Sequence, residues 1–97
     1  MILISHRGNT NGIRKDENSP YRIIDVLNNG YHCEIDVWYE SNKFWLGHDK
    51  PTYSIDLNFL CNSKLWCHAK NIEALDIMTD NNIHCFWHEN DKYTLTS

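Results

Sequence analysis

Apolar and polar positions alternate along the chain in blocks that change period. Ile2, Leu3, Ile4 and Ser5 form a short continuous apolar run, the pattern of a strand buried on both faces. His6, Arg7 and Gly8 end it, and a polar stretch through Asn18 reads as loop. Ser19 followed by Pro20 predicts a helix start, with Ser19 as N-cap and Pro20 in the first helical position. Ile23, Ile24 and Leu27 supply its apolar stripe, and Asn29 with Gly30 supplies the stop. A second strand is expected from Tyr31 or His32 to Tyr39, then a tight turn at Ser41 and Asn42. Lys43 to Leu46 reads as the returning hairpin arm.

Lys50 and Pro51 break the pattern, and Ser54 to Leu60 reads as a short helix or turn. Lys64 to Ala69 gives a third core strand. Asn71 caps a helix with Ile72, Leu75 and Met78 at helical spacing, closed by Asp80, Asn81 and Asn82. Ile83 to Trp87 is the fourth strand, with no helix pattern after it. Strand and helix in alternation predict an α/β fold with a parallel sheet and right-handed crossovers. The order fits a small open sheet or the first half of a (β/α)8 barrel.

Composition narrows the function classes. The 97 residues make one domain, and 41% hydrophobic content with four tryptophans predicts a packed core rather than disorder. Net charge is −4 with no cluster of Lys and Arg, which argues against nucleic-acid binding through a basic footprint. No apolar run approaches a membrane span, and the apolar start is too short for a signal peptide. The four cysteines, Cys33, Cys61, Cys67 and Cys85, contain no Cys-x-x-Cys pair. Reduced thiols in a cytoplasmic setting are therefore expected, three of them as small core residues.

The ionisable residues then gather at one place. In parallel α/β folds, ligands bind at the carboxyl ends of the strands. His6 ends the first strand, Glu34 and Asp36 lie in the second, His48 and Asp49 close the hairpin arm, His68 and Lys70 end the third, and His88 and Glu89 follow the fourth. Glu34 and Asp36 are two apart and so share a face, where two acids repel unless a cation or proton lies between them. His32 and His84, at strand starts, read as structural. Lys70 reads equally as a solvated strand-end lysine. The tryptophans read as core or pocket walls.

His6-Arg7-Gly8, Glu17-Asn18, Glu34-Ile35-Asp36 and His48-Asp49, in that order and spacing, resemble the N-terminal signature of the glycerophosphodiester phosphodiesterases, within the wider phosphatidylinositol-phospholipase-C-like group. The resemblance spans Ser5 to Asp49, about half the chain. It implies a TIM barrel with the site at the carboxyl ends of its strands. It implies His6 and His48 as general acid and base and Arg7 as phosphate ligand, with Glu17 on the metal or the substrate hydroxyls. Glu34 and Asp36 would hold a divalent metal, Mg²⁺ or Ca²⁺. The family's Glu-x-Lys pattern at the third strand is His68-Ala69-Lys70 here, so Lys70 fits and His68 replaces an acid. As a third ligand His68 would shift preference towards Mn²⁺ or Zn²⁺.

A complete barrel has about 250 residues, and this sequence covers its first four strands. A half barrel exposes an edge and an inner face, so a fragment, a homodimer closing through the open face, and a flattened sheet are the expected alternatives. Two function classes follow. One is a metal-dependent phosphodiesterase acting on glycerophosphodiesters or related small phosphodiesters. The other is a non-catalytic phosphate- or metal-binding module. A zinc site from Cys67, His68, Cys85 and His88 is a third reading, opposed by the alternation that puts Cys67 and His68 on opposite faces.

Overall fold

A computed structural model of the chain describes residues 4–6, 18–89 and 93–96. Its elements run β1 (Ile4–His6), α1 (Pro20–Asn28), β2 (His32–Glu40), β3 (Lys43–Leu46), β4 (Tyr53–Ile55), α2 (Leu57–Leu60), β5 (Leu65–Ala69), α3 (Ile72–Asp80), β6 (Cys85–Glu89) and β7 (Tyr93–Thr96). Among the described residues the seven strands form one mixed sheet. β1, β2, β5 and β6 are parallel and follow one another across it in sequence order. β3 and β4 extend it antiparallel from one side of β2, and β7 pairs antiparallel with β6 at the far side.

The fold is thus α/β with a parallel centre, as the alternating pattern predicts, but its flanks differ from expectation. Ser54 to Leu60 is not a single helix or turn: Tyr53–Ile55 pairs with β3, and only Leu57–Leu60 is helical, capped by the Asp56 carboxylate on the Phe59 amide. Three residues give too short a run for period-two alternation to stand out. β7, near the chain's end, carries no helix and was not expected as a strand. β1 covers Ile4–His6, so the predicted start at Ile2 and Leu3 lies outside the described residues, as do Arg7 and Glu17.

Local chemistry sets the boundaries. The Ser19 side chain accepts from the Arg22 amide, and Pro20 takes the first helical position, where its missing N–H costs nothing. α1 closes with Gly30 at φ 86°, which lets the Tyr31 amide reach back to the Val26 carbonyl. α3 closes in the same manner through Asn82 at φ 58°, with the Ile83 amide on the Met78 carbonyl. The β2–β3 hairpin turns on Ser41 and Asn42, both at positive φ as a two-residue I′ turn requires.

α1 and α3 pack on β2, β5 and β6 over one continuous core of Ile23, Val26, Cys33, Ile35, Val37, Leu65, Cys67, Ala74, Met78 and Cys85. Two expected stripe positions fall outside it. Ile24 is 48% exposed and Ile72 is 52% exposed, while Val26 and Ala74 are buried in their place. Cys33, Cys67 and Cys85 are buried and Cys61 is exposed. Among the described residues no helix is long and apolar enough to cross a membrane.

Candidate functional site

The strand register sorts the polar residues into two rungs. His6, Glu34 and Trp66 are neighbours across β1, β2 and β5. One level nearer the carboxyl ends, Asp36, His68 and Phe86 are neighbours across β2, β5 and β6. Residues alternate across a strand, so Cys33, Ile35 and Val37 face the helices and Glu34 and Asp36 share the opposite face. β5 behaves likewise, with Leu65, Cys67 and Ala69 buried and Trp66 and His68 half-buried on the acidic face.

At the centre of this face Asp36 is fully buried, and so is Asn18. The two clasp each other. Asn18 Nδ2 donates to Asp36 Oδ2 at 3.0 Å, and the Asp36 amide donates to Asn18 Oδ1 at 2.9 Å. Asp36 Oδ1 lies 3.1 Å from His68 Nδ1. With Asp36 ionised, its carboxylate only accepts and the hydrogen of this pair lies on the His68 nitrogen. The His68 ring stacks on Phe86, with centroids 5.1 Å apart and planes within 5°. The carboxylate is thus held by an amide side chain and an imidazole, and the Asp36 main chain is tied to Asn18 as well. Asp36 and Phe86, in the middle of this face, are both buried in the single chain.

The hairpin delivers His48 to the same end. Phe44, Trp45 and Leu46 pair back on β2, and the Gly47 amide donates to the Asp36 carbonyl at 3.2 Å. Trp38 Nε1 donates to the Gly47 carbonyl, which fixes the turn before His48. A side chain at Gly47 would run into the Lys50 carbonyl, and its Cβ would lie 2.8 Å from Thr52 Oγ1. His48 is partly exposed and its Nδ1 lies 2.9 Å from Asp49 Oδ1. Lys70 follows β5, its amide donating to the Val37 carbonyl at 2.8 Å.

Of the residues singled out by spacing, Glu34, Asp36 and His68 share one face, and His48 and Lys70 arrive at its carboxyl end. His6 contributes its backbone beside Glu34, while Arg7 and Glu17 lie outside the described residues. His32 and His84, at strand starts, both meet Trp66: Trp66 Nε1 donates to His32 Nδ1 at 3.1 Å, and His84 lies against the Trp66 ring. Asn18 is the site residue that apolar patterning does not mark. Its signal is local, since it holds φ 64° just ahead of the helix cap, a left-handed backbone that Asn tolerates best after Gly.

The described donors do not fit a divalent ion in this arrangement. Among the described residues no group of three or more His, Cys, Asp or Glu converges on a point. Both oxygens of Asp36 accept hydrogen bonds, and the His68 nitrogen beside it is a donor. The zinc reading meets a further obstacle, because Cys67 is buried beneath the helices while His68 is on the other face. Burial, then the neighbouring thiols Cys85, Cys33 and Cys61, push the Cys67 thiol far above its ordinary range. A thiol kept neutral in this way is a poor ligand and a poor nucleophile. A separate groove of mixed polarity lies between the β2–β3 hairpin, β4 and α2, with Tyr39, Phe44, Leu57 and Phe59 beside Lys43 and Asp56. Comparison with protein-family models, with curated proteins and with solved structures finds no match for this chain.

Proposed function

We propose that the chain is a phosphodiester hydrolase acting on glycerophosphodiesters or related small phosphodiesters, built on the first half of a (β/α)8 barrel. The observation that carries this reading is the gathering of Glu34, Asp36, His48, His68 and Lys70 at the carboxyl ends of parallel strands that follow one another in sequence order. That is where parallel α/β folds bind ligands, and that is the strand order of a barrel's opening units. The ordered signature from His6 to Asp49 supplies the substrate class.

In this reading water, or a neighbouring hydroxyl of the substrate, attacks phosphorus. One of His6 and His48 takes the attacking proton, the bond from phosphorus to the leaving alcohol breaks, and the other histidine protonates that alcohol. Histidine suits both roles because its ordinary pKa is about 6.5. Arg7 and Lys70 offset negative charge growing on the phosphoryl oxygens. The implied Mg²⁺ or Ca²⁺, with Mn²⁺ or Zn²⁺ as alternatives, supplies no step here because the described donors do not fit it. Cytoplasmic placement and pairing of two copies belong to the same proposal.

The test is choline release from glycerophosphocholine by the purified chain, with and without added divalent ion. Turnover lost in both His6→Ala and His48→Ala supports the reading, and equal rates in wild type and both variants remove it. A second reading, a phosphate-binding module without turnover, is favoured by the saturated Asp36 carboxylate. Calorimetric binding of inorganic phosphate by a protein that releases no choline would select it.

A further inference from the structure

We propose that His68 takes the place of a divalent cation at Asp36, so that the buried carboxylate is satisfied by a hydrogen-bonded imidazole and its site holds no metal ion. The inference deepens the proposed function and rests on the same site. Glu34 and Asp36 are two apart on one face, and such a pair needs an ion, a proton or donors between and around it. Asp36 has donors. Asn18 Nδ2 reaches Oδ2 at 3.0 Å, and His68 Nδ1 reaches Oδ1 at 3.1 Å, at a carboxylate with no exposure to water.

The imidazole is delivered by the fold rather than by a flexible side chain. Asp36 and His68 are register partners on adjacent parallel strands, so the donor arrives from the nearest position on β5. Phe86, the next partner on β6, stacks flat on the ring and fixes its plane. With Asp36 ionised, the Nδ1 hydrogen points at it in that plane, and a nitrogen that carries a hydrogen has no lone pair to give an ion. An ion at Asp36 would have to displace His68, Asn18 or both from a buried carboxylate. An acid in place of His68 would instead add a third negative charge to the face and remove the imidazole from Asp36 Oδ1. Position 68 therefore decides between an ion site and a hydrogen-bonded one.

The experiment uses the full chain with ¹⁵N-labelled histidine, in chelator and then with Mg²⁺, Ca²⁺ or Zn²⁺ alone, read by NMR and by calorimetry. His68 is expected to show a protonated Nδ1 whose signal is unchanged by an excess of each ion and is altered by Asp36→Asn. His68→Glu is expected to bind Ca²⁺ at least ~10-fold more tightly than wild type, with the gain lost when Asp36→Asn is added. Wild-type binding of any of these ions that shifts His68, through either ring nitrogen, and disappears in Asp36→Asn overturns the inference. Should His68→Glu fail to fold, the wild-type spectrum decides alone. The two readings separate cleanly. Metal-dependent turnover with a responding His68 keeps the hydrolase and removes this inference, whereas no turnover with an unresponsive His68 does the reverse.

Discussion

Replacing Asn18 is the sharpest perturbation of the site. Asn18→Ala removes a donor from Asp36 Oδ2 and an acceptor from the Asp36 amide, both at a position without solvent. Each orphaned buried group costs about 1–3 kcal/mol, with the charged oxygen at the upper end. Alanine at φ 64° adds roughly 1 kcal/mol of backbone strain. The expected loss is therefore about 3–7 kcal/mol, a large share of the roughly 5–15 kcal/mol that holds a domain together. Asn18→Gly loses the same two bonds but is free of the strain, so it should recover about 1 kcal/mol of the difference. Asn18→Asp keeps an acceptor for the amide and sets a second carboxylate against Asp36. Burial and like charge raise the shared pKa above its unfolded value, so the proton favours the folded state. Asn18→Asp should therefore gain stability as the pH falls and lose it as the pH rises through the raised pKa. Urea unfolding followed by tryptophan fluorescence measures all three, since a 3 kcal/mol loss at a slope of about 1.5 kcal/mol per molar moves the midpoint about 2 M. An Asn18→Ala midpoint within experimental error of wild type would refute the clasp.

Three further outcomes are expected. The Cys67 thiol is raised in the folded state by burial and then by its neighbouring thiols, so its contribution is present below the unfolded value of about 8.5 and is lost as pH rises above it, by about 1.4 kcal/mol per unit. The stability gap between wild type and Cys67→Ala should shrink by about 2 kcal/mol between pH 7 and pH 10, and a constant gap would count against it. Gly47→Ala should lose about 1–3 kcal/mol in urea unfolding, because its Cβ meets the Lys50 carbonyl and Thr52 Oγ1. Asn71→Ala removes the α3 cap on the Ala74 amide and both bonds to the Tyr39 backbone, a loss of about 2–3 kcal/mol. Amide exchange at Tyr39 should rise with it.

The parallel centre of the sheet was legible in sequence because each strand is a dense apolar run and each helix carries a cap with a matching stop. Ser19, Pro20 and Gly30 mark α1 through chemistry that acts within a few residues. What patterning misjudged lies at the margins. Ile24 and Ile72 are apolar yet exposed, because the face of a helix that packs is set by its neighbours rather than by its own spacing. β4 and β7 are edge strands of three and four residues, each paired with the strand just before it in sequence and too short for period two to stand out. The site divides in the same way. Period two puts Glu34 and Asp36 on one face, but the Asp36–His68 bond depends on the β2–β5 register, which joins residues 32 apart. The Asn18 clasp depends on one left-handed residue in a polar stretch, and no period carries that information.

The central claim is hydrolysis at phosphorus, and oxygen-18 labelling tests it most directly. The wild-type chain is incubated with glycerophosphocholine in H₂¹⁸O and the products are followed by ³¹P NMR. The account predicts a phosphomonoester signal displaced by one ¹⁸O on phosphorus, which is absent when His6 and His48 are both replaced by alanine. Unchanged glycerophosphocholine, or a phosphomonoester without the label on phosphorus, would contradict it.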